Sequence, residues 1–139
     1  MSAPVGRRAG RRQALFLLYQ WDLTGQALAS LYEGEPDEFA RSLAEAVASR
    51  APALDRRITE SSPDWPADRL GTLERNILRI GVYELEEETV PHEVAINEAV
   101  VLAKRYASED AARLVNGILG HIARSSSNGT DASFVSVNA

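Results

Sequence analysis

Residues 91–120 read PHEVAINEAVVLAKRYASEDAARLVNGILG, and this stretch is the most strongly patterned part of the chain. Apolar side chains recur at helical spacing in two runs: Ile96, Val100, Ala103 and Tyr106, then Ala111, Val115, Ile118 and Ile122. Ser108 stands between the runs, where its hydroxyl can cap the second helix, and Glu109 and Asp110 suit that helix's first turn. The pattern predicts two antiparallel helices joined by a short turn.

Several residues of this hairpin are poor helix formers: Asn97, Asn116, Gly117 and Gly120. Together with Arg113 they give one face of the hairpin little side-chain bulk, which would let another backbone approach closely. For Asn116 and Gly117 we favour a structural role and keep a functional one as the alternative. We expect Asn97 and Glu98 to hold their helix against its neighbours.

The rest of the chain is also predicted to be helical. Further helices are expected at about 7–24, 36–50, 53–61 and 67–88, and a connection or short helix at 26–35. Pro52 marks the boundary between two of them, because the residue before a proline disfavours helical geometry. The fold class is therefore all-α, with about six to seven helices and no predicted strand.

Charge is distributed unevenly along the chain. The formal net charge is −5, but residues 1–12 carry Arg7, Arg8, Arg11 and Arg12 and no acid, so the remainder is −9. A basic terminus on an acidic body suggests binding to a polyanion such as RNA, because guanidinium groups bind phosphate bidentately. The alternative is a solvated terminus with no partner, and charge alone does not separate the two.

A second basic line lies on the predicted helix 67–88. Arg75, Arg79 and Tyr83 follow each other at i, i+4 and i+8, so they fall on one helix face. This face either continues an RNA surface begun by the terminal arginines or is a solvated face with Arg–Glu pairs. Both interpretations remain open at this point.

Enzyme chemistry finds little support in the residues. The chain has no cysteine and two histidines, and it contains no P-loop, GxGxxG, GxSxG or HExxH motif. No apolar run reaches the roughly 18–20 residues of a membrane span, and no signal peptide is visible. We therefore expect a cytoplasmic, non-enzymatic protein without metal, cofactor or membrane.

Three segments together resemble the NusB family of transcription antitermination factors. They are VAINEAVVLAKRY followed by SEDAARLVNGILG, LERNILRIGVYEL at 73–85, and RRAGRRQALFLLYQW at 7–21. The resemblance is clear over roughly 7–24 and 65–123 and weak over 25–64, where only helical character and length agree. Three matching segments in the same order are far more specific than one short motif.

The resemblance implies an organisation and a function. It implies two small packed helical bundles within an RNA-binding domain at 7–123, flanked by a flexible terminus at 1–6 and, by composition, a disordered Ser-rich tail at 124–139. It implies binding of single-stranded boxA RNA, notably in ribosomal RNA leaders, together with the ribosomal small-subunit protein NusE. The implied assembly is an RNA polymerase elongation complex with other Nus factors. A second copy of the chain is a further candidate partner, because some members of the family are dimers and others monomers.

Residues can be carried over from the matching segments. The predicted RNA contacts are Arg7, Arg8, Arg11, Arg12, Arg75, Arg79 and Asp110, and the predicted partner contact is Glu74. Ala9 and Gly10 interrupt the basic run of the family pattern, and Arg12 is basic where some members are not. Two alternatives are kept: a protein-interaction module whose basic arm meets an acidic protein, and a small enzyme whose site the sequence does not reveal.

Overall fold

Five α-helices make up the structure, a computed structural model that describes residues 6–138 and the side chains of 6–126. They are α1 (Arg7–Thr24), α2 (Glu38–Ser61), α3 (Thr72–Glu87), α4 (His92–Tyr106) and α5 (Glu109–Asn138), with 3₁₀ turns at Leu28–Leu31 and Ala67–Arg69. The described residues contain no strand, so the all-α prediction is confirmed. Residues 1–5 lie outside the described residues, so the flexible terminus stays a prediction. The disordered tail predicted from residue 124 does not match the backbone, because α5 continues as a helix to Asn138; the side chains beyond 126 lie outside the described residues.

The helix count is lower than predicted, because α2 runs unbroken through Pro52. A proline inside a helix costs about 3 kcal/mol. Here Pro52 points outward, while the buried face continues past it with Leu43, Val47, Leu54 and Ile58. Burying Leu54 and Ile58 each stabilises the fold by roughly 1.5–3 kcal/mol, which offsets the cost of the proline.

Helix α3 is the centre of the molecule. It packs against α1, α2, α4 and α5, and residues 76–82 are all buried. The helices α1, α2 and α3 form one bundle and α3, α4 and α5 a second, so the predicted two bundles are confirmed with α3 as the shared helix. Gly81 lets α5 approach, since a Cβ there would come within 2.5 Å of the Cδ1 atom of Leu119.

The hairpin that the sequence singled out is present as α4 and α5. Its cap is confirmed: the Ser108 hydroxyl accepts the N–H of Ala111 at 2.9 Å. The predicted stripe on α5 is also buried, but on α4 the buried face is shifted by one position, to Ala95, Ala99, Leu102 and Ala103. Small alanines form this face because α4 packs closely on both α3 and α5.

None of the described helices is both long enough and apolar enough to cross a bilayer. Among the described side chains, no group of three or more His, Asp and Glu residues is arranged to hold a metal ion.

Candidate nucleic-acid interface

The surface of α1 near its N-terminus carries three accessible arginines, which we call the arginine arm: Arg7, Arg8 and Arg12. Arg7 is exposed and lies over the ring of Phe39, with 4.8 Å between the guanidinium carbon and the ring centroid. Arg12 is partly exposed and has no hydrogen bond or ion pair among the described residues. Within the part of the chain that the structure describes, no carboxylate therefore occupies the guanidinium groups of Arg7 and Arg12.

Arg8 differs from the other two arm residues because it is paired with α4. Its Nε and Nη2 atoms donate to Glu98 Oε2 and Oε1, both at 3.1 Å. The side chain of Arg8 is 65% exposed, whereas that of Glu98 is 14% exposed. The hydrogen bond to Glu98 raises the pKa of Arg8 above its ordinary value. The pair ties α1 to α4, as expected for Glu98, and leaves the outer edge of the guanidinium in water.

Arg11 does not belong to the arm, which corrects its prediction as an RNA contact. Its Nε and Nη2 atoms donate to the two carboxylate oxygens of Glu84 at 2.8 Å, and both side chains are only 4% exposed. This hydrogen bonding raises the pKa of Arg11, which stays charged inside the fold. Arg11 joins α1 to α3 and presents no donor to a ligand outside.

Arg79 is also an interior residue rather than a surface contact. It donates to both carboxylate oxygens of Asp55 at 2.7 Å and to Asp22 Oδ2 at 2.9 Å, which connects α3 to α2 and α1. Arg75 donates to the same Asp22 oxygen at 2.9 Å and to the carbonyls of Ala67 and Leu70. The predicted line of basic residues on α3 is thus a network of ion pairs.

This network has consequences for the charge of Asp22. Burial by itself would raise the pKa of the Asp22 carboxyl. Hydrogen bonds from Arg75 and Asn76 and the charge of Arg79 outweigh burial, so the pKa lies below its usual value of 3.8. Asp22 is therefore held as a carboxylate. The geometry gives no support to Arg75 and Arg79 as RNA contacts, and the network is separate from the arm.

Glu74 and Asp110 lie together at a different place on the surface. Both line one groove between the N-terminal ends of α3 and α5, beside Trp65, whose exposed fraction is 54%. Asp110 is exposed and pairs with Arg113 one helical turn away. Glu74 folds back over Gly71 at the start of α3. The structure therefore groups Asp110 with the predicted partner contact rather than with the arginine arm.

An exposed aromatic cluster adjoins Glu74, and the sequence analysis did not identify it. A shallow cleft is lined by Phe16, Tyr19, Leu73, Glu74 and Tyr106. Phe16 is 43% exposed, and its ring meets that of Tyr106 edge-on at 5.1 Å. The positions of these residues around the helix axis could have revealed the cluster. Ala14, Leu15 and Leu18 form the buried face of α1, and Phe16 lies outside that face.

Comparisons with known proteins agree with this architecture. A model described as the NusB family matches residues 8–124. The transcription antitermination protein NusB of Myxococcus xanthus is 38% identical over 131 residues, which cover 84% of this chain and 94% of that protein. A structure of T. maritima NusB has a TM-score of 0.78 at 30% identity and covers 88% of this chain and 93% of its own.

A third relative was solved as an assembly. The crystal structure of antitermination factors NusB and NusE in complex with double-stranded RNA contains a chain with a TM-score of 0.74 at 30% identity. The match covers 86% of this chain and 96% of that one. Because the family model spans most of the sequence and the relatives align over nearly their whole length, this chain belongs to the NusB family of transcription antitermination proteins.

Proposed function

We propose that this protein is a cytoplasmic, non-enzymatic antitermination factor that binds single-stranded boxA RNA together with NusE. The bound complex joins RNA polymerase during elongation, with other Nus factors, notably on ribosomal RNA operons. Family membership and the relative solved with NusE and double-stranded RNA support binding of RNA together with NusE, and the unpaired boxA strand is this proposal's own step. The observation that carries it is the arginine arm, whose Arg7 and Arg12 have no carboxylate partner among the described residues.

The arm has the chemistry needed for a phosphate backbone. Guanidinium groups bind phosphate oxygens through two parallel N–H bonds, and their affinity depends on salt because counterions are released. An acidic protein surface would also meet these arginines, but the family relationship favours RNA. The body of the protein carries the excess negative charge, so a polyanion would meet the arm rather than the rest of the surface.

The partner surface is proposed at the aromatic cluster beside Glu74. Exposed aromatic side chains are typical anchors of protein interfaces, and Phe16 and Tyr106 supply them here. Phe16 follows Arg12 by four residues on α1, so the cluster and the arm share one helix face. A protein bound at the cluster would lie next to RNA bound on the arm, which explains how one partner can strengthen binding of the other.

The test is fluorescence anisotropy with a labelled boxA RNA, with and without NusE, over a series of salt concentrations. Two double variants of equal charge are compared: Arg7→Ala with Arg12→Ala, and Arg56→Ala with Arg69→Ala. Arg56 and Arg69 are exposed and have no ion pair among the described residues, so they control for net charge in the titrations without NusE. Arg69 also lines the groove of Glu74 and Asp110, so the titrations with NusE are not used for this comparison. The arm variant should lose about a hundredfold in affinity and about 1.4 from the log–log salt slope. The control should keep the wild-type slope.

Other outcomes have definite meanings. Equal losses in the two variants would indicate a nonspecific charge effect and contradict an RNA site on the arm. Absence of RNA binding even with NusE, combined with NusE binding that needs the arm, would favour the protein-interaction module instead. The same RNA annealed to its complement should bind more weakly, since the proposal is for an unpaired strand.

A further inference from the structure

An open groove lies on the outer face of the α4–α5 hairpin, next to the arginine arm. Its volume is about 590 Å³, within the range of roughly 300–1,000 Å³ that is usual for small-ligand sites. Val94, Ile96 and Val100 supply apolar lining, and Asn97 and Asn116 add amides from the two helices. Glu98, the partner of Arg8, also lines the groove, so the groove is continuous with the arm.

The two amides are the unusual feature of this groove. Asn97 and Asn116 are exposed, and neither side chain has a hydrogen bond among the described residues. The expectation that Asn97 holds its helix in place is therefore wrong. Each amide offers donors and an acceptor, a combination that can pair with the edge of a nucleobase. Apolar side chains alongside can contact the flat face of the same base.

Charge decides which part of a nucleotide fits. Glu93 and Glu98 line the groove, so a phosphate inside it would meet carboxylates. Glu98 is already neutralised by Arg8, and the rest of the Arg8 guanidinium faces water. A neutral base therefore suits the groove, while the phosphate attached to it suits Arg8 and its neighbours on the arm.

We propose that this groove binds one unpaired nucleobase of the RNA strand, with Asn97 and Asn116 hydrogen-bonding its edge. The base must be unpaired, because its polar edge is otherwise occupied by its complement. This inference rests on the proposed function, since it assigns a base subsite to the strand whose phosphates lie on the arginine arm. Gly117, next to Asn116 and exposed, leaves open space beside the groove wall.

The test uses the full chain with NusE and a set of boxA RNAs in which each nucleotide in turn lacks its base. The variant carries Asn97→Ala and Asn116→Ala. The control is Gln26→Ala, which removes an exposed amide just beyond the C-terminal end of α1 and outside the groove, the arm and the aromatic cluster. The asparagine variant should bind intact RNA about tenfold more weakly and become insensitive to base removal at one position, where the wild type loses about the same factor. The salt slope should be unchanged, because no phosphate contact is removed.

The inference and the proposed function fail differently. If the asparagine variant binds intact RNA like the wild type and keeps the same sensitivity at every position, the groove takes no base and this inference alone is overturned. A reduced salt slope would show that the groove holds phosphate and would also overturn it. If the wild type does not bind the RNA, both proposals fall together. A Gln26→Ala protein with the same defect as the asparagine variant would show that any lost amide suffices, against a specific site.

Discussion

Arg11 and Arg12 are adjacent in the sequence, yet the structure places them in opposite environments. The guanidinium of Arg11 is buried and fully engaged with Glu84, whereas Arg12 is partly exposed and has no partner among the described residues. Successive helix positions are separated by about 100° around the axis, so one faces α3 and the other faces water. A basic run on a helix therefore combines residues that hold the fold with residues that are available to a ligand.

Arg79 and Arg7 show the same contrast between a buried and an accessible arginine. Arg79 joins three helices through Asp22 and Asp55, while Arg7 rests on the ring of Phe39 with its polar edge accessible. The buried arginines form ion pairs with carboxylates from distant parts of the chain. Among the described side chains, the exposed arginines Arg7 and Arg12 have no such carboxylate, whereas Arg8 is paired yet exposed and so is intermediate between the two groups.

The largest effect is expected from Arg11→Ala. Removal of one member of a buried ion pair leaves Glu84 charged without a partner, which should lower the free energy of unfolding by about 3–5 kcal/mol. Urea unfolding followed by circular dichroism measures this loss. The RNA affinity of the protein that remains folded should not change, because the Arg11 guanidinium does not reach the surface.

A paired substitution checks the cause. Arg11→Met combined with Glu84→Leu replaces the ion pair by apolar side chains and should recover most of the lost stability. If the Arg11→Ala protein unfolds like the wild type but binds RNA poorly, Arg11 is an RNA contact of the arm and not a structural residue.

The second effect is expected from Arg12→Ala, the same change one residue later. The free energy of unfolding should stay within about 0.5 kcal/mol of the wild type, because the side chain has no hydrogen bond or ion pair among the described residues to lose. RNA binding should weaken about tenfold at low salt, and the log–log salt slope should fall by about 0.7. Anisotropy titrations at several salt concentrations measure both quantities. Unaltered RNA binding would restrict the phosphate contacts to Arg7 and Arg8.

Sequence periodicity predicted the helices well but could not sort these arginines. The α4–α5 hairpin, its Ser108 cap and the all-α class follow from local spacing and capping chemistry. The burial of Arg11 depends on Glu84, which is 73 residues away in the chain, and the burial of Arg79 on Asp55, 24 residues away. Such pairing is a property of helix packing, and a single sequence does not display it.

Local rules also failed where packing overrode them. Pro52 predicted a helix boundary, but the buried face of α2 holds the helix together across it. Phe16 has apolar neighbours in the sequence, but its position around the axis of α1 places it at the surface. In both cases the intrinsic preference of a residue was outweighed by the geometry of the element that carries it.

A third, smaller effect is expected at Arg8, which is exposed like Arg12 but paired like Arg11. Glu98→Gln removes the carboxylate that holds Arg8, so the guanidinium becomes available to phosphate and a nearby negative charge is lost. RNA affinity should rise by about two- to fivefold, the range expected for an exposed ion pair. Weaker binding instead would show that Glu98 holds Arg8 in the position that RNA needs. Arg8→Ala in the Glu98→Gln background should abolish the gain, which separates release of Arg8 from the simple loss of charge.

The smallest expected effect is on the pH dependence of the free energy of unfolding, and it arises from Asp22 in the buried network with Arg75 and Arg79. The pKa of Asp22 is depressed in the folded protein, so its contribution to stability is complete above about pH 3.8 and is lost as the pH falls through the lower folded value. The free energy of unfolding should therefore decrease on acidification below that pH. Asp22→Asn should start less stable at neutral pH, because Arg75 and Arg79 lose a shared charge, but it should lose stability less steeply in acid. The difference in slope should correspond to less than about one proton taken up on unfolding, measured by urea titrations at a series of pH values. Parallel acid limbs for the two proteins would show that Asp22 does not titrate with folding, and that the Arg79 network is held by Asp55 instead.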